Sequence, residues 1–246
     1  MYRFFVSKDQ LKDELIGITG DDYNHIRNVL RMKIGDEILI SDGDDKEYLG
    51  CIERYDDNEC VNIRIIDVFG ESRELPAKIV LFQGYPKGDK MEQIIQKAVE
   101  LGAYEIVPVM MKRCVVKLDD KKAGKKVERF NSIALSAAKQ SKRGVIPVVK
   151  EVMSMEQALH YAKKLDYVII PYECAENMEY SKSIIKEAVG KSSIGVFIGP
   201  EGGFDAKEVE MLKDIQGKVI SLGHRILRTE TAGMTVLSIL MYMLEE

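Results

Sequence analysis

Two rhythms of apolar residues divide the chain. Over the first seventy or so residues they come in short runs, YRFFV at 2–6, EILISD at 37–42, EYLGCIERY at 47–55 and CVNIRIIDVF at 60–69, as strands require. Between them DGDD and DDNE are turn formers of the hairpin kind. One helix is predicted here, from about Asp21 to Leu30, with Thr19 or Asp21 as its cap. Residues 1–72 are therefore expected to form a small, mostly β domain, with a barrel as one way to close it. The stretch GESRELP at 70–76 is polar, aperiodic and ends in proline, which suits a linker.

From residue 73 to residue 246 the rhythm changes. Runs rich in β-branched residues (KIVLFQG, EIVPVM, DYVIIP, IGVFIGP, KVISLG) alternate with amphipathic stretches, the pattern of buried parallel strands joined by helices in an α/β domain. MEQIIQKAVELG places Ile94, Ile95, Ala98, Val99 and Leu101 on one helical face and stops at Gly102. The last segment, TAGMTVLSILMYMLEE, is apolar around most of its circumference. Such a helix must be covered from several sides, within its own domain or by a second subunit.

Composition adds limits rather than identity. A chain of 246 residues with 46% apolar and 31% charged residues is an ordinary globular balance. No apolar run approaches the roughly 20 residues that span a bilayer, and the charged start MYRFFVSKDQ is unlike a signal peptide, so a cytoplasmic location is expected. Cys51, Cys60, Cys114 and Cys174 form no CxxC pair and stand far from His25, His160 and His224, so neither a metal site nor a disulfide framework is expected. The net charge of -4 is unevenly spread: residues 112–150 hold twelve Lys/Arg against three Asp/Glu, while residues 1–75 hold ten against eighteen. That basic block is either a solvated helix face or a phosphate-binding patch.

In an open parallel sheet, ligands bind where strands end at their carboxyl termini. Three such loops carry chemistry: Pro171-Tyr172-Glu173 after DYVII, Gly199-Pro200-Glu201-Gly202-Gly203-Phe204 after IGVFI, and the stretch from Gly223 to Ala232 after KVISL. The second lacks the Lys-Ser/Thr pair of a nucleotide P-loop and the GxGxxG spacing of a dinucleotide site. Its glycines suit a flat or neutral ligand pressed against main chain. A plain turn with Asp205 capping the next helix is the structural alternative. In the third loop Ile226 and Leu227 supply apolar walls, while Thr229 and Thr231 are polar anchors or caps. Arg228 opens a helix against its dipole, and a charge so disfavoured is better explained by a ligand than by stability.

Seven ordered motifs, RFFV at 3–6, HIRNVLRMKIGDE at 25–37, KGDKMEQIIQKAVELGAYEIVPV at 87–109, KRCVV at 112–116, AAKQSKR at 137–143, IGPEGGF at 198–204 and SLGHRILRTETA at 221–232, resemble the ribosomal RNA small-subunit methyltransferase E family of the SPOUT superfamily. The resemblance implies a PUA-like β-barrel domain over residues 1–72, then a SPOUT-type α/β domain over 73–246 with a C-terminal trefoil knot, acting as a homodimer. It implies S-adenosylmethionine-dependent methylation of N3 of one uridine in 16S rRNA of the small ribosomal subunit. The implied cofactor pocket comprises Pro171, Tyr172 and Glu173, then Ile198, Gly199, Pro200, Glu201, Gly202 and Gly203, then Leu222, Gly223, Ile226, Leu227, Arg228, Thr229 and Thr231. Lys139 and Lys142 depart from the family pattern, and both add positive charge.

Uracil N3 is a poor nucleophile until its proton leaves, so Arg228 is the candidate for stabilising the charge on the base and Glu230 for accepting the proton. RNA contacts are expected from Arg3, His25, Asn28, Arg31 and Lys33 in front, and from Arg113, Lys117, Lys139, Gln140, Ser141, Lys142 and Arg143 behind. Two other functions fit the same residues: methylation of another RNA or of a ribose 2'-hydroxyl, and a non-catalytic RNA-binding assembly factor.

Overall fold

The computed structural model describes every residue except 13, 44–45, 70–73, 117–119, 176 and 246, and leaves out the side chains of 120–122. Lys117 and the first part of the expected linker thus lie outside the described residues. The chain forms two compact units: Met1–Glu74 together with Lys142–Ile146, and Leu75–Ser141 together with Pro147–Glu246. Where the sequence suggests one boundary after residue 72, the chain passes between units three times, and the short 142–146 connector lies in the first.

The first unit is a six-stranded sheet built from β1 (Arg3–Phe5), β2 (Leu11–Lys12), β3 (Leu15–Ile18), β4 (Glu37–Ser41), β5 (Glu47–Asp56) and β6 (Cys60–Phe69), in the order β1-β4-β5-β6-β3-β2. β1 runs parallel to β4 and the other pairs are antiparallel. Alternation along β4 and β6 buries Ile38, Ile40, Val61 and Ile63, which pack with Phe4, Ile16, Ile18, Ile26 and Ile52. β3 was not apparent as a strand in the sequence. The expected helix is a short α1 (Gly20–Asn24) continued by a π-wound turn over His25–Val29, where the Leu30 N–H donates to the His25 carbonyl at 2.9 Å. Thr19 occupies the cap position without a side-chain cap bond.

The connector is stitched into this unit by buried charge. The Arg3 guanidinium donates to the carbonyls of Lys142 and Arg143 at 2.8 and 2.9 Å and pairs with Glu47 at 2.7 Å. Glu74 accepts from Arg143 Nε and from the Gly144 N–H, each at 2.9 Å. Arg3 and Arg143 are both buried. Each is held inside the unit by a carboxylate, Glu47 for Arg3 and Glu74 for Arg143, so neither stands on the exposed surface where the sequence places an RNA contact.

The second unit is a parallel sheet of β7 (Lys78–Gly84), β8 (Ala103–Met110), β9 (Val148–Val149), β10 (Met153–Ser154), β11 (Tyr167–Pro171), β12 (Ser193–Ile198) and β13 (Lys218–Ile220). Its order is β10-β8-β7-β12-β11-β13, with β9 also on β8. The helices are α2 (Lys90–Glu100), α3 (Asp120–Ser141), α4 (Met155–Ala162), α5 (Met178–Glu187), α6 (Ala206–Asp214) and α7 (Thr229–Leu244). One sheet face, with Val80, Phe82, Val107, Val109, Val168, Ile170 and Phe197, is covered by α4 and α6. Phe82 and Phe197 stack at 4.2 Å. α2 packs on β8, and α7 packs on α2 and on the central strand β12. Burial on both faces explains why these strands are continuously apolar.

Helix α2 buries Ile94, Ile95, Ala98 and Val99 and stops at Gly102, whose φ of +89° is left-handed. A Cβ there would also stand 2.5 Å from Leu75 Cδ1. α7 is less enclosed than its composition suggests. It buries Gly233, Val236, Leu237, Leu240 and Leu244 and leaves Ile239 and Tyr242 exposed. Among the described residues no helix is long and apolar enough to cross a membrane.

Candidate active site

Parallel strands aim their carboxyl ends the same way, and the loops leaving β7, β11, β12 and β13 surround one cleft of about 630 Å³. That volume lies within the roughly 300–1,000 Å³ of small-molecule sites. Pro171, Tyr172 and Glu173 line it after β11, residues 198–204 after β12 and residues 222–229 after β13, with Lys87 and Lys90 after β7 and Ala232 on α7. Its apolar walls include Ile198, Leu222 and Leu227, and Tyr172 stands edge-on to Phe204 at 6.4 Å.

Glycines allow main chain to form these walls. A Cβ on Gly84, the last residue of β7, would lie 2.5 Å from the Pro200 nitrogen, so backbone meets backbone there only without a side chain. Gly223 has a φ of +115°, and beyond its chain neighbours no protein atom lies within 4 Å of where its Cβ would stand. Bare main chain thus faces open space in the cleft.

Two buried polar groups lock the loops. The Thr229 hydroxyl donates to the Gly199 carbonyl at 2.6 Å and accepts from Gln83 Nε2 at 2.8 Å. Thr229 therefore ties the start of α7 to the ends of β12 and β7 and does not cap the helix. The N-cap position is Arg228, in extended backbone and exposed on the cleft rim. Asp205 does cap α6, accepting from the Lys207 N–H at 3.2 Å while Glu208 accepts from the Asp205 N–H. Lys112 beside it, 2.8 Å away, holds its carboxyl below the usual range.

Glu201 accepts from the Lys87 N–H at 3.1 Å and lies 3.3 Å from Lys90 Nζ. Burial pushes its pKa up, but its own N–H, the Lys87 N–H and Lys90 together outweigh burial and hold it below the usual range. Sequence pattern does not single out Gln83, Lys87 and Lys90, although a glutamine inside the apolar run of β7 and a lysine opening a helix are both local anomalies.

Glu230 and Thr231 do not line the cleft. Successive helical residues turn by about 100°, so Thr229 and Ala232 face the cleft while the two between them do not. Glu230 Oε2 lies 3.2 Å from Lys90 Nζ instead, and Thr231 is exposed. Glu230, the candidate proton acceptor, thus stands in an ion pair with Lys90, and Thr231 stands outside the cleft lining.

In the first unit His25, Asn28, Arg31 and Lys33 are exposed on the π-wound turn and the loop after it. The His25 ring sits edge-on to Phe4 at 6.1 Å, and Arg31 has a left-handed φ of 53°. In the second unit Arg113 is exposed and donates to the Gly202 carbonyl at 3.0 Å, against the cleft loop. Gln140 is exposed and borders a shallow groove between α2 and α3, with Arg129 and Gln96. The Ser141 hydroxyl donates to the Ala137 carbonyl at 2.7 Å. Lys139 is half-buried on α3, and Lys142 is exposed on the connector with a left-handed φ of 59°.

The chain thus holds a parallel α/β unit with a ligand-sized cleft at its strand ends and a separate small β unit. The RNA methyltransferase domain family matches residues 73–241, and the RNA methyltransferase PUA domain family matches residues 18–63. Ribosomal RNA small subunit methyltransferase E of Bacillus subtilis is 41% identical over 100% of this chain and 98% of its own. The protein of that name from Mesomycoplasma hyopneumoniae is 32% identical over 97% and 98%. The crystal structure of the Neisseria gonorrhoeae one, bound to S-adenosyl methionine, superposes with a TM-score of 0.81 at 27% identity, covering 97% of this chain and 95% of that one. This chain belongs to the ribosomal RNA small subunit methyltransferase E family.

Proposed function

We propose that this protein uses S-adenosylmethionine to methylate N3 of one uridine in the 16S rRNA of the small ribosomal subunit. The observation that carries this reading is the convergence of three strand-end loops on one cleft with an exposed arginine, Arg228, on its rim. The cleft suits the cofactor: apolar walls at Leu222 and Leu227, and bare main chain at Gly223 where a Cβ would fill open space. When bound, the cofactor would supply a methyl group on a sulfonium, whose S–C bond breaks as the neutral thioether leaves.

The chain's own residues have the other tasks. Arg228 binds the uracil carbonyl oxygens and favours loss of the N3 proton, freeing the lone pair that forms the new N–C bond. The proton passes to solvent, because Glu230 is held by Lys90. Loops locked by Thr229 align the reacting atoms. His25, Asn28, Arg31 and Lys33 in the first unit, with Arg113, Lys139, Gln140 and Lys142, are the RNA contacts, giving binding that weakens steeply with salt. We assign the trefoil knot to the run from edge strand β13 back to α7 on central β12. The exposed Ile239 and Tyr242 of α7 are assigned to the homodimer interface.

Mass-spectrometric mapping of nucleosides in 16S rRNA treated with and without the protein tests the reading. 3-Methyluridine at one site is the expected product. A 2'-O-methylated nucleoside in its place contradicts the role of Arg228.

A further inference from the structure

Lys90 is the first residue of α2, where the positive end of the helix dipole makes an ammonium unwelcome. Its Nζ lies 3.3 Å from Glu201 Oε1 in the loop after β12 and 3.2 Å from Glu230 Oε2 in the first turn of α7. The three side chains are only 27%, 21% and 14% exposed, so water screens their charges weakly. One cation therefore bridges two carboxylates, one on the loop after β12 that lines the cleft and one in the first turn of α7. Desolvation alone would lower the Lys90 pKa, but Glu230 and Glu201 outweigh it and hold the ammonium above its ordinary range.

We propose that Lys90 is a positioning residue of the methyltransferase: its ammonium latches the Gly-Pro-Glu-Gly-Gly loop to the start of α7 and so fixes the spacing of the walls that grip the cofactor. This rests on the function proposed above. Without the cation, Glu201 and Glu230 repel each other, and the two walls separate. The latch acts before chemistry, on cofactor capture, so its loss appears in cofactor Kd and KM more than in kcat. An arginine can reach two carboxylates at once and preserves the latch, whereas methionine fills the space and removes the charge.

The test uses the full-length protein, S-adenosylmethionine titration by calorimetry, and steady-state methylation of rRNA. Lys90→Met is expected to raise Kd and KM for S-adenosylmethionine about tenfold while changing kcat less than about threefold. Lys90→Arg is expected to stay within about threefold of the parent protein in all three. Glu230→Gln breaks one arm of the latch without leaving a repelling pair, so it is expected to weaken binding less than Lys90→Met. It also keeps the test decisive if the methionine variant does not fold. Binding by Lys90→Met as tight as the parent's overturns the latch alone, as does an arginine variant no better than the methionine one. If the parent protein binds no S-adenosylmethionine, the proposed function falls and the latch falls with it.

Discussion

In the β unit, Arg3 and Arg143 are buried, and their guanidiniums grip carboxylates and main-chain carbonyls; in the α/β unit, Arg228 stands exposed on the cleft rim. All three lie in motifs that carry the family resemblance, so the motif alone does not distinguish a structural arginine from one offered to a ligand. Desolvation does. A buried guanidinium that grips an internal carboxylate is shut off from solvent and from RNA, whereas one on a rim can still exchange water for a ligand.

Removing an arginine from each site breaks the comparison most directly. Arg3→Ala leaves Glu47 buried without its cation and should cost about 3–5 kcal/mol of stability, read from the denaturant midpoint of the full chain. Arg228→Ala should leave that midpoint nearly unchanged and lower kcat by about 10²–10³, on the order of 3–4 kcal/mol of transition-state stabilisation. If Arg228→Ala destabilises the fold as much as Arg3→Ala does, the distinction between the two sites is lost.

Smaller changes sharpen the contrast. Gly84→Ala forces a Cβ against Pro200 and should cost about 1–3 kcal/mol, with weaker cofactor binding because the displaced loop lines the cleft. Ser154 accepts from the Gln157 N–H at the start of α4 and is not among the residues that line the cleft. Ser154→Ala should cost about 1 kcal/mol and leave methylation kinetics unaltered. The smallest effect is a dependence on acid. Glu201 titrates lower in the folded chain than in the unfolded one, so its contribution is fully present above the ordinary carboxylate range and is lost as pH falls through its depressed value. Glu201→Gln should flatten that part of the stability profile, at and below the acid range where carboxylates ordinarily titrate.

Much of the architecture follows from local pattern. The register of α2 and its stop at Gly102 are periodicity and a left-handed glycine, both readable from a dozen neighbouring residues. The parallel strands announce themselves by being apolar on both faces, and their carboxyl ends point to the loops that surround the cleft. What sequence pattern does not carry is pairing between distant segments. The placement of 142–146 in the β unit depends on Arg3 and Glu74, roughly 140 and 70 residues away. Burial of Arg143 inside a run of basic residues is invisible to charge counting. Glu230 lies one helical step off the cleft, a difference that motif matching ignores, and its partner Lys90 is 140 residues upstream. β3 was missed because LIGI is too short to show alternation, and its identity comes from its pairing with β6.

Titration of the folded protein with S-adenosylmethionine, alongside Gly223→Val, tests the central claim most directly. The Gly223 backbone is left-handed and faces the open cleft, so a valine there fills the space assigned to the cofactor. The parent should bind and the variant, folded as judged by circular dichroism, should not. A folded Gly223→Val that binds as tightly as the parent would place the cofactor elsewhere.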